Sequence, residues 1–469
     1  MTVNTVSVSA LEDYWKTHLK DIVEDYRSFL RFASIGAESE YETDTLACAQ
    51  WVRDYLSSFM EEVDLWETNQ HPTVFGQDLR AGPEKPTVII YNHYDVQPVE
   101  PLDAWESPPF EPEERNGAMY ARGAQDNKGQ CFYVLSALKA LKKLKGEFPV
   151  NIKILIEGDE ETGSSGLAGI LQERQQALQG DYLLVVDVGI RDAHTPSVTC
   201  GLRGLVALEV TCRGSQHDLH SGSHGGLAYN PLRALVEILS RLYHADGSIA
   251  VPGIYETVRE ADREELEQYD FNFDADAYEE ETGSVPSGGE QTFSPLERNW
   301  LRPALDINGI SGGYAGAGFK TVIPSSATAK LSCRLVPDQD PDTVGQLIVN
   351  FLAQLAPQGI EVDARVRPGG GPAIRSTPHS AGVKAAAHAF EEVFRTSCQF
   401  ILEGASIPIV AALQQTSQAE AVLLGLGLSS DLIHAPNEHF GLDRLEKGFL
   451  IIARTLIHLS GGETPVKTS

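Results

Sequence analysis

The chain of 469 residues carries 37 Lys and Arg against 66 Asp and Glu, for a formal net charge of −29. That length supports two domains with cores of their own, and the acidic balance excludes sequence-independent binding to nucleic acid or to an anionic membrane, both of which reward clustered cations. The opening MTVNTVSVSALEDYWKTHLK has no basic head followed by an apolar stretch, and no apolar run approaches the roughly 18 residues of a membrane span. The six cysteines are scattered without a CxxC pair. A cytoplasmic location, with thiols kept reduced, is expected.

From the amino terminus, Ser9-Ala-Leu-Glu12 has the form of a capping box. Leu11, Tyr14, Trp15, Leu19, Ile22, Val23, Tyr26 and Leu30 recur behind it at helical spacing. A second helix is expected over residues 43–59. Pro86-Thr-Val-Ile-Ile-Tyr91, Val150-Asn-Ile-Lys-Ile-Leu-Ile156 and Tyr182-Leu-Leu-Val-Val186 are short apolar runs that suit buried strands, and residues 128–144 read as a helix. Strands alternating with helices predict an α/β domain whose mixed sheet carries helices on both faces.

The texture changes near residue 203. Gly204-Leu-Val-Ala-Leu-Glu-Val-Thr-Cys212 alternates like a half-exposed strand, residues 231–243 read as a helix, and the acidic stretch 255–291 reads as a solvated insertion. A strand (328–335), a helix (341–355) and a strand (360–366) complete a β-α-β-α-β series, expected to form a smaller two-layer α+β domain. Arg367-Pro-Gly-Gly-Gly-Pro372 reads as an exit linker. A helix, a strand (421–426) and a last helix (442–459) then resume the first texture. The expected organisation is a catalytic domain in two pieces, 1–203 and 373–469, interrupted by an inserted domain at 204–372.

Residues able to bind a metal collect at the strand ends. His93 and Asp95, in Asn92-His-Tyr-Asp95, follow the first core strand and offer an imidazole with a carboxylate placed to fix its ring. Asp126, in Ala121-Arg-Gly-Ala-Gln-Asp126, opens a helix and taken alone reads as an N-cap. Glu160 and Glu161 follow a strand in Glu157-Gly-Asp-Glu-Glu161-Thr-Gly-Ser164, Asp187 ends another, and His434 stands in the loop before the last helix. Carboxylates crowded at a strand's end repel one another and lose hydration, a costly arrangement unless cations compensate. Ligand sites of open α/β sheets lie beyond the carboxyl ends of the strands. Two His, two Asp and one Glu, with a spare Glu beside them, make an oxygen and nitrogen set suited to Zn, Mn or Co. Adjacency alone does not separate ligand from base within Glu160-Glu161.

The order HxD, Asp-Asn-Lys-Gly, Glu-Glu-Thr-Gly-Ser, strand-end Asp and His-x-Pro-Asn-Glu resembles the co-catalytic zinc metallopeptidase family of aminoacylase, glutamate carboxypeptidase and carnosinase-type dipeptidases, over nearly the whole chain. The resemblance implies a zinc-exopeptidase-like fold with an inserted lid and dimerisation domain, and two divalent ions bridged by Asp126. One ion would also take His93 and Asp187, the other Glu161 and His434. Glu160 would be the general base, Asp95 would support His93, and the Asp126–Asn127 peptide would be cis. In the inserted domain, Asp218-Leu-His220-Ser-Gly222 resembles the family's loop whose His steadies the oxyanion, and in dimeric members it does so in the neighbouring subunit's site. His220 therefore implies a homodimer, although by itself it reads as an exposed loop histidine. Thr321, Arg334 and Ser406 match carnosinase-type positions that hold substrate. Arg334 suits bidentate capture of a terminal carboxylate, although alone it reads as a surface charge. One departure stands out: Pro368-Gly-Gly-Gly-Pro372 lies where the carnosinase-type His precedes Gly-Gly-x-Pro, so a substrate contact is missing or replaced.

The expected activity is metal-dependent hydrolysis of dipeptides or similar short peptides by a two-metal-activated water. The alternative is an amidohydrolase that removes the acyl group of N-acyl amino acids, which needs the same metals and carboxylate clamp. A non-catalytic binding protein of this fold would be expected to have lost Glu160 or a ligand, and none is lost. Hinges near 200–204 and 368–372 are expected to let the inserted domain close.

Overall fold

The computed structural model describes residues 6–461, which divide into two compact units. Among those residues the larger unit takes 6–200, 376–401 and 409–461, and the smaller takes 201–375 and 402–408. The divisions lie a few residues from the boundaries read in the sequence, and the segment Leu402–Pro408 belongs with the smaller unit.

In the larger unit the strands run in the order Glu62–Trp66, Thr73–Asp78, Asn151–Glu157, Thr87–His93, Tyr182–Val186, Glu420–Leu424 and Ser197–Leu202. Thr87–His93 is parallel to both neighbours, and Glu420–Leu424 is parallel to Tyr182–Val186. The other neighbouring pairs are antiparallel, which makes the sheet mixed. Every residue of Asn151–Glu157 and Tyr182–Val186 is buried. Cover on both faces explains why these strands are continuous apolar runs rather than alternations. Helices Val8–Leu30, Lys128–Lys145, Ala381–Phe394 and Leu442–Leu459 pack on one another, with Trp15 5.1 Å from Phe449 between ring centres. The first helix begins two residues earlier than the capping box implies. Ser7, not Ser9, is its N-cap and accepts from the Ala10 N–H at 3.2 Å. The Glu62–Trp66 and Thr73–Asp78 hairpin was not expected from the sequence.

The smaller unit is a four-stranded antiparallel sheet in the order Ala304–Gly312, Ser326–Leu335, Gly204–Arg213, Glu361–Gly371. Helices Pro231–Leu239 and Pro341–Gln354 pack against it. Its core takes every second residue of the strands, among them Val206, Leu208, Val210, Leu331, Cys333 and Leu335, with Leu235, Ile238, Ile348 and Leu352 from the helices. The strand Ala304–Gly312 escapes a reading of the sequence because it lies at the edge, mostly exposed, with a register shift between Ile307 and Gly309. The expected exit linker is instead the end of a strand. Glu361–Gly371 stays paired with Gly204–Arg213 through a register shift between Arg367 and Gly371, and Gly369 supplies the left-handed φ of +95° that such an irregularity uses. The acidic insertion holds two short helices, Arg263–Leu266 and Ala275–Thr282, with no buried residue in either. Its end is anchored where Glu290 takes two bonds from Arg302, at 2.8 and 2.9 Å. Among the described residues no helix is long and apolar enough to cross a membrane.

Gly158, directly after the strand Asn151–Glu157, leaves room for the buried Tyr94, whose hydroxyl donates to the Pro72 carbonyl at 2.6 Å. A Cβ at Gly158 would fall 2.2 Å from that hydroxyl oxygen. Gly158→Ala is expected to cost about 1–3 kcal/mol by overpacking. An unchanged denaturant midpoint would show that Tyr94 relocates freely.

Candidate metal centre

The carboxyl ends of the larger unit's central strands deliver the chemistry. His93 ends the strand Thr87–His93, Asp187 directly follows Tyr182–Val186, and Glu160 and Glu161 form a short turn of 3-10 helix beyond Asn151–Glu157. Asp126 precedes helix Lys128–Lys145. Two overlapping groups result: His93, Asp126 and Asp187, and Asp126, Glu161 and His434. Within each group one ligand atom per residue lies within 4.8 Å of the others. Asp126 belongs to both. The Asp126–Asn127 peptide is cis.

The neighbours hold these groups at the cost of their own freedom. Asp95, fully buried, lies 3.3 Å from His93 Nδ1 and accepts the backbone N–H groups of Glu160 and Glu161 at 3.2 and 3.0 Å. One carboxylate therefore orients an imidazole on one strand and the acidic pair beyond another. Asn127 donates to Asp187 at 2.5 Å and Gln97 to Glu161 at 2.6 Å, leaving each carboxylate a second oxygen. His434 Nε2 is 2.9 Å from Asp126 Oδ2 and 3.5 Å from Glu161 Oε2.

Glu438 is the acid that closes the His-x-Pro-Asn-Glu motif. It is wholly buried and accepts from the backbone N–H groups of Gly123, Gln125 and Asp126 at 2.8, 2.9 and 3.0 Å, and from Arg122 at 2.8 Å. It thus ties the loop bearing Asp126 to the loop bearing His434. An acid four residues after a candidate ligand was the only signal for it, because its four donors lie more than 300 residues away in sequence.

The electrostatics are those of a site built around cations. Burial pushes Asp187 up to about 6 and Glu161 up to about 7, and raises Glu160 well above the usual carboxylate range. Hydrogen bonds to Asp126 and Glu161 push His434 up to about 10. Burial opposes the charge on His93, but Asp187 and Asp126 outweigh it and raise that imidazole. Burial opposes the charge on Asp126 too, and its bond to His434 and the nearby imidazole of His93 hold it below the usual range. Protons stand in where positive charge is wanted, a pattern typical of functional sites. The residues fit metal ions by a second criterion. His93 Nε2 and Glu161 Oε1 are buried without a hydrogen-bond partner, one in each group, and a buried polar atom left bare is costly.

The remaining sequence candidates lie in the smaller unit and form two pairs. His220 pairs with Val322 in a short antiparallel ribbon, and the Thr321 carbonyl accepts from Ser221 at 3.0 Å, so His220 and Thr321 are close in space. Arg334 Nη1 donates to Ser406 Oγ at 2.8 Å.

The profile of peptidase family M20/M25/M40 matches residues 89–458, which include every member of both groups. The chain belongs to that family. As an M20 peptidase it is a hydrolase. It is 33% identical over 400 residues to the Cys-Gly metallodipeptidase dug1 of Schizosaccharomyces pombe, over 84% of each chain. It is 34% identical over 375 residues to a human Beta-Ala-His dipeptidase, over 78% of this chain and 73% of that one. The fold matches the di-peptidase Dug1p of Saccharomyces cerevisiae with a TM-score of 0.84 at 25% identity, over 97% of this chain and 99% of that one. It matches human carnosine dipeptidase 1 with a TM-score of 0.83 at 27% identity, over 97% and 98%. The mixed α/β architecture of this M20 member is that of these relatives.

Glu438→Gln keeps the shape of the side chain and strips Arg122 of its buried counter-ion. A loss of about 3–5 kcal/mol is expected, the usual consequence of an uncompensated buried charge. Chemical denaturation reads it, and a loss below about 1 kcal/mol would show that the Pro98 carbonyl, which accepts from Arg122 Nη2 at 2.9 Å, suffices with water for Arg122.

Proposed function

We propose that the chain hydrolyses the peptide bond of dipeptides or similarly short peptides, with two divalent metal ions, Zn before Mn or Co, held by His93, Asp126 and Asp187 and by Asp126, Glu161 and His434. The observation that carries this reading is the sharing of Asp126 by two ligand groups with the half-buried Glu160 beside them, in a chain similar to named metallodipeptidases over most of its length. Bound divalent cations make water acidic and an amide carbonyl electrophilic.

The protein's own groups do the rest. Glu160 takes a proton from the attacking water and passes it to the departing amine nitrogen. Asp95 positions it through the Glu160 backbone N–H and keeps His93 in one tautomer. Arg334 and Ser406 receive the substrate's terminal carboxylate, and His220 with Thr321 bonds the carbonyl oxygen as charge develops there.

His220 is exposed, in keeping with a role in the site of a second copy, and we propose a homodimer. The exposed Ile307 and Ile310 on the edge strand Ala304–Gly312, with the exposed Leu227, Tyr314 and Phe319 also in the smaller unit, support an interface on that unit. Six free cysteines, five of them buried, support a cytoplasmic, reducing location.

Metal-stripped protein reloaded with Zn or Mn is expected to cleave dipeptides, and Glu160→Gln to lower kcat by about 10²–10⁴-fold. Cleavage of N-acetyl amino acids alone would assign the chain to amidohydrolysis instead. Elemental analysis is expected to give two ions per chain, one in His93→Ala or His434→Ala, and fewer than one in Asp126→Asn. Equal loss in all three variants would overturn the shared-ligand assignment.

A further inference from the structure

Arg203 lies between the strands Ser197–Leu202 and Gly204–Arg213, in a stretch whose sequence pointed only to a hinge. Its guanidinium is buried. Nε donates to the Gly404 carbonyl at 2.9 Å, and the Arg203 backbone N–H donates to the Ala405 carbonyl at 3.1 Å. The next residue continues the clasp, since the Gly204 carbonyl accepts from Ser406 Oγ at 3.1 Å. Ser406 in turn accepts from Arg334. Arg203 therefore holds the segment 404–406 in the place where its serine meets Arg334.

The charge on Arg203 is the unexplained part. Its Nη1 is buried and without a hydrogen-bond partner, and no ion pair joins Arg203 or Arg334 to a carboxylate among the described residues. Burial, and then the charge of Arg334, push Arg203 down to about 10, with Glu403 and Asp306 offsetting part of that. Neither acid closes the gap. Glu403 is occupied by the backbone N–H groups of Gly404 and Ala405, at 2.8 and 3.3 Å, and Asp306 is exposed on the edge strand. Two neighbouring guanidiniums without an anion are a costly arrangement for a folded protein. A carboxylate of the substrate would satisfy both.

We infer that Arg203 is a positioning residue for the substrate's terminal carboxylate, placing Ser406 under Arg334 and adding a second positive charge that makes the subsite select a free acid over an amide. The inference rests on the dipeptidase reading above. Arg203→Met removes the charge and the clasp, and Arg203→Lys restores the charge.

The test compares one dipeptide with its C-terminal amide, on the metal-loaded full chain. The wild type is expected to favour the free acid. In Arg203→Met the KM for the acid is expected to rise about tenfold more than that for the amide, equivalent to roughly 1.4 kcal/mol, and Arg203→Lys is expected to recover most of the preference. Thermal melts of both variants check that they fold. A wild type indifferent to acid or amide would overturn the inference without any variant. So would an acid-to-amide ratio in a folded Arg203→Met equal to that of the wild type, since neither the charge of Arg203 nor its placing of Ser406 would then bear on the carboxylate. A wild type that cleaves neither compound would instead remove the dipeptidase reading, and the subsite with it.

Discussion

Mutual repulsion among the carboxylates around Asp126 is the constraint on which the rest of the larger unit depends. Asp95, Asp187, Glu160 and Glu161 converge there with little water to screen them, and only His93 and His434 bring countercharge from within the two ligand groups. A fold assembled from apolar strands gains nothing from such a cluster. It is held together by hydrogen bonds that spend donors on the acids, from the backbone of residues 123–126 and 160–161 and from the amides of Gln97 and Asn127. The arrangement is stable enough to fold and poor enough in positive charge to attract cations.

The supporting residues divide that work by distance from the ligands. Asp95 acts on the ligands themselves, fixing His93 and the Glu160–Glu161 turn from one buried point. Glu438 acts one layer further out, on the loops. Asn437 backs it at the loop's far side, accepting from the Glu106 N–H at 2.8 Å and donating to the Ala104 carbonyl at 2.9 Å. Placing ligands on strand ends and locking the loops between them leaves few soft torsions at the centre, which is what a preorganised site requires.

The legible parts of the sequence were those where burial is complete or chemistry crowded. Thr87–His93, Asn151–Glu157 and Tyr182–Val186 read clearly because apolar residues dominate strands covered on both faces, with Lys153 the one charged residue in their interiors, and helix Leu442–Leu459 because its apolar stripe persists over five turns. The candidate ligands stood out because acids at strand ends need a reason. The edge strands Glu62–Trp66 and Ala304–Gly312 were hidden, since half-exposed strands with polar and glycine residues look like loops. The glycine run at 369–371 misled in the opposite direction, because a strand irregularity and a linker share one composition. Glu438 and Arg203 were illegible for a different reason. Each is defined by partners far away in sequence, and no local pattern records such a contact.

The separation between Asp126 and His434 has a consequence for synthesis. The two residues that meet at 2.9 Å are 308 positions apart. At about 5–20 residues per second, a ribosome spends on the order of 15 to 60 s between them. The set of His93, Asp126 and Asp187 has emerged long before the second set can exist, and so has no access to Glu438's grip on residues 123–126. The strand Glu420–Leu424, which fills the gap between Tyr182–Val186 and Ser197–Leu202, arrives equally late. Until residues 420–438 emerge, the central sheet lacks the strand between its two halves, and the loop bearing Asp126 lacks both His434 and Glu438.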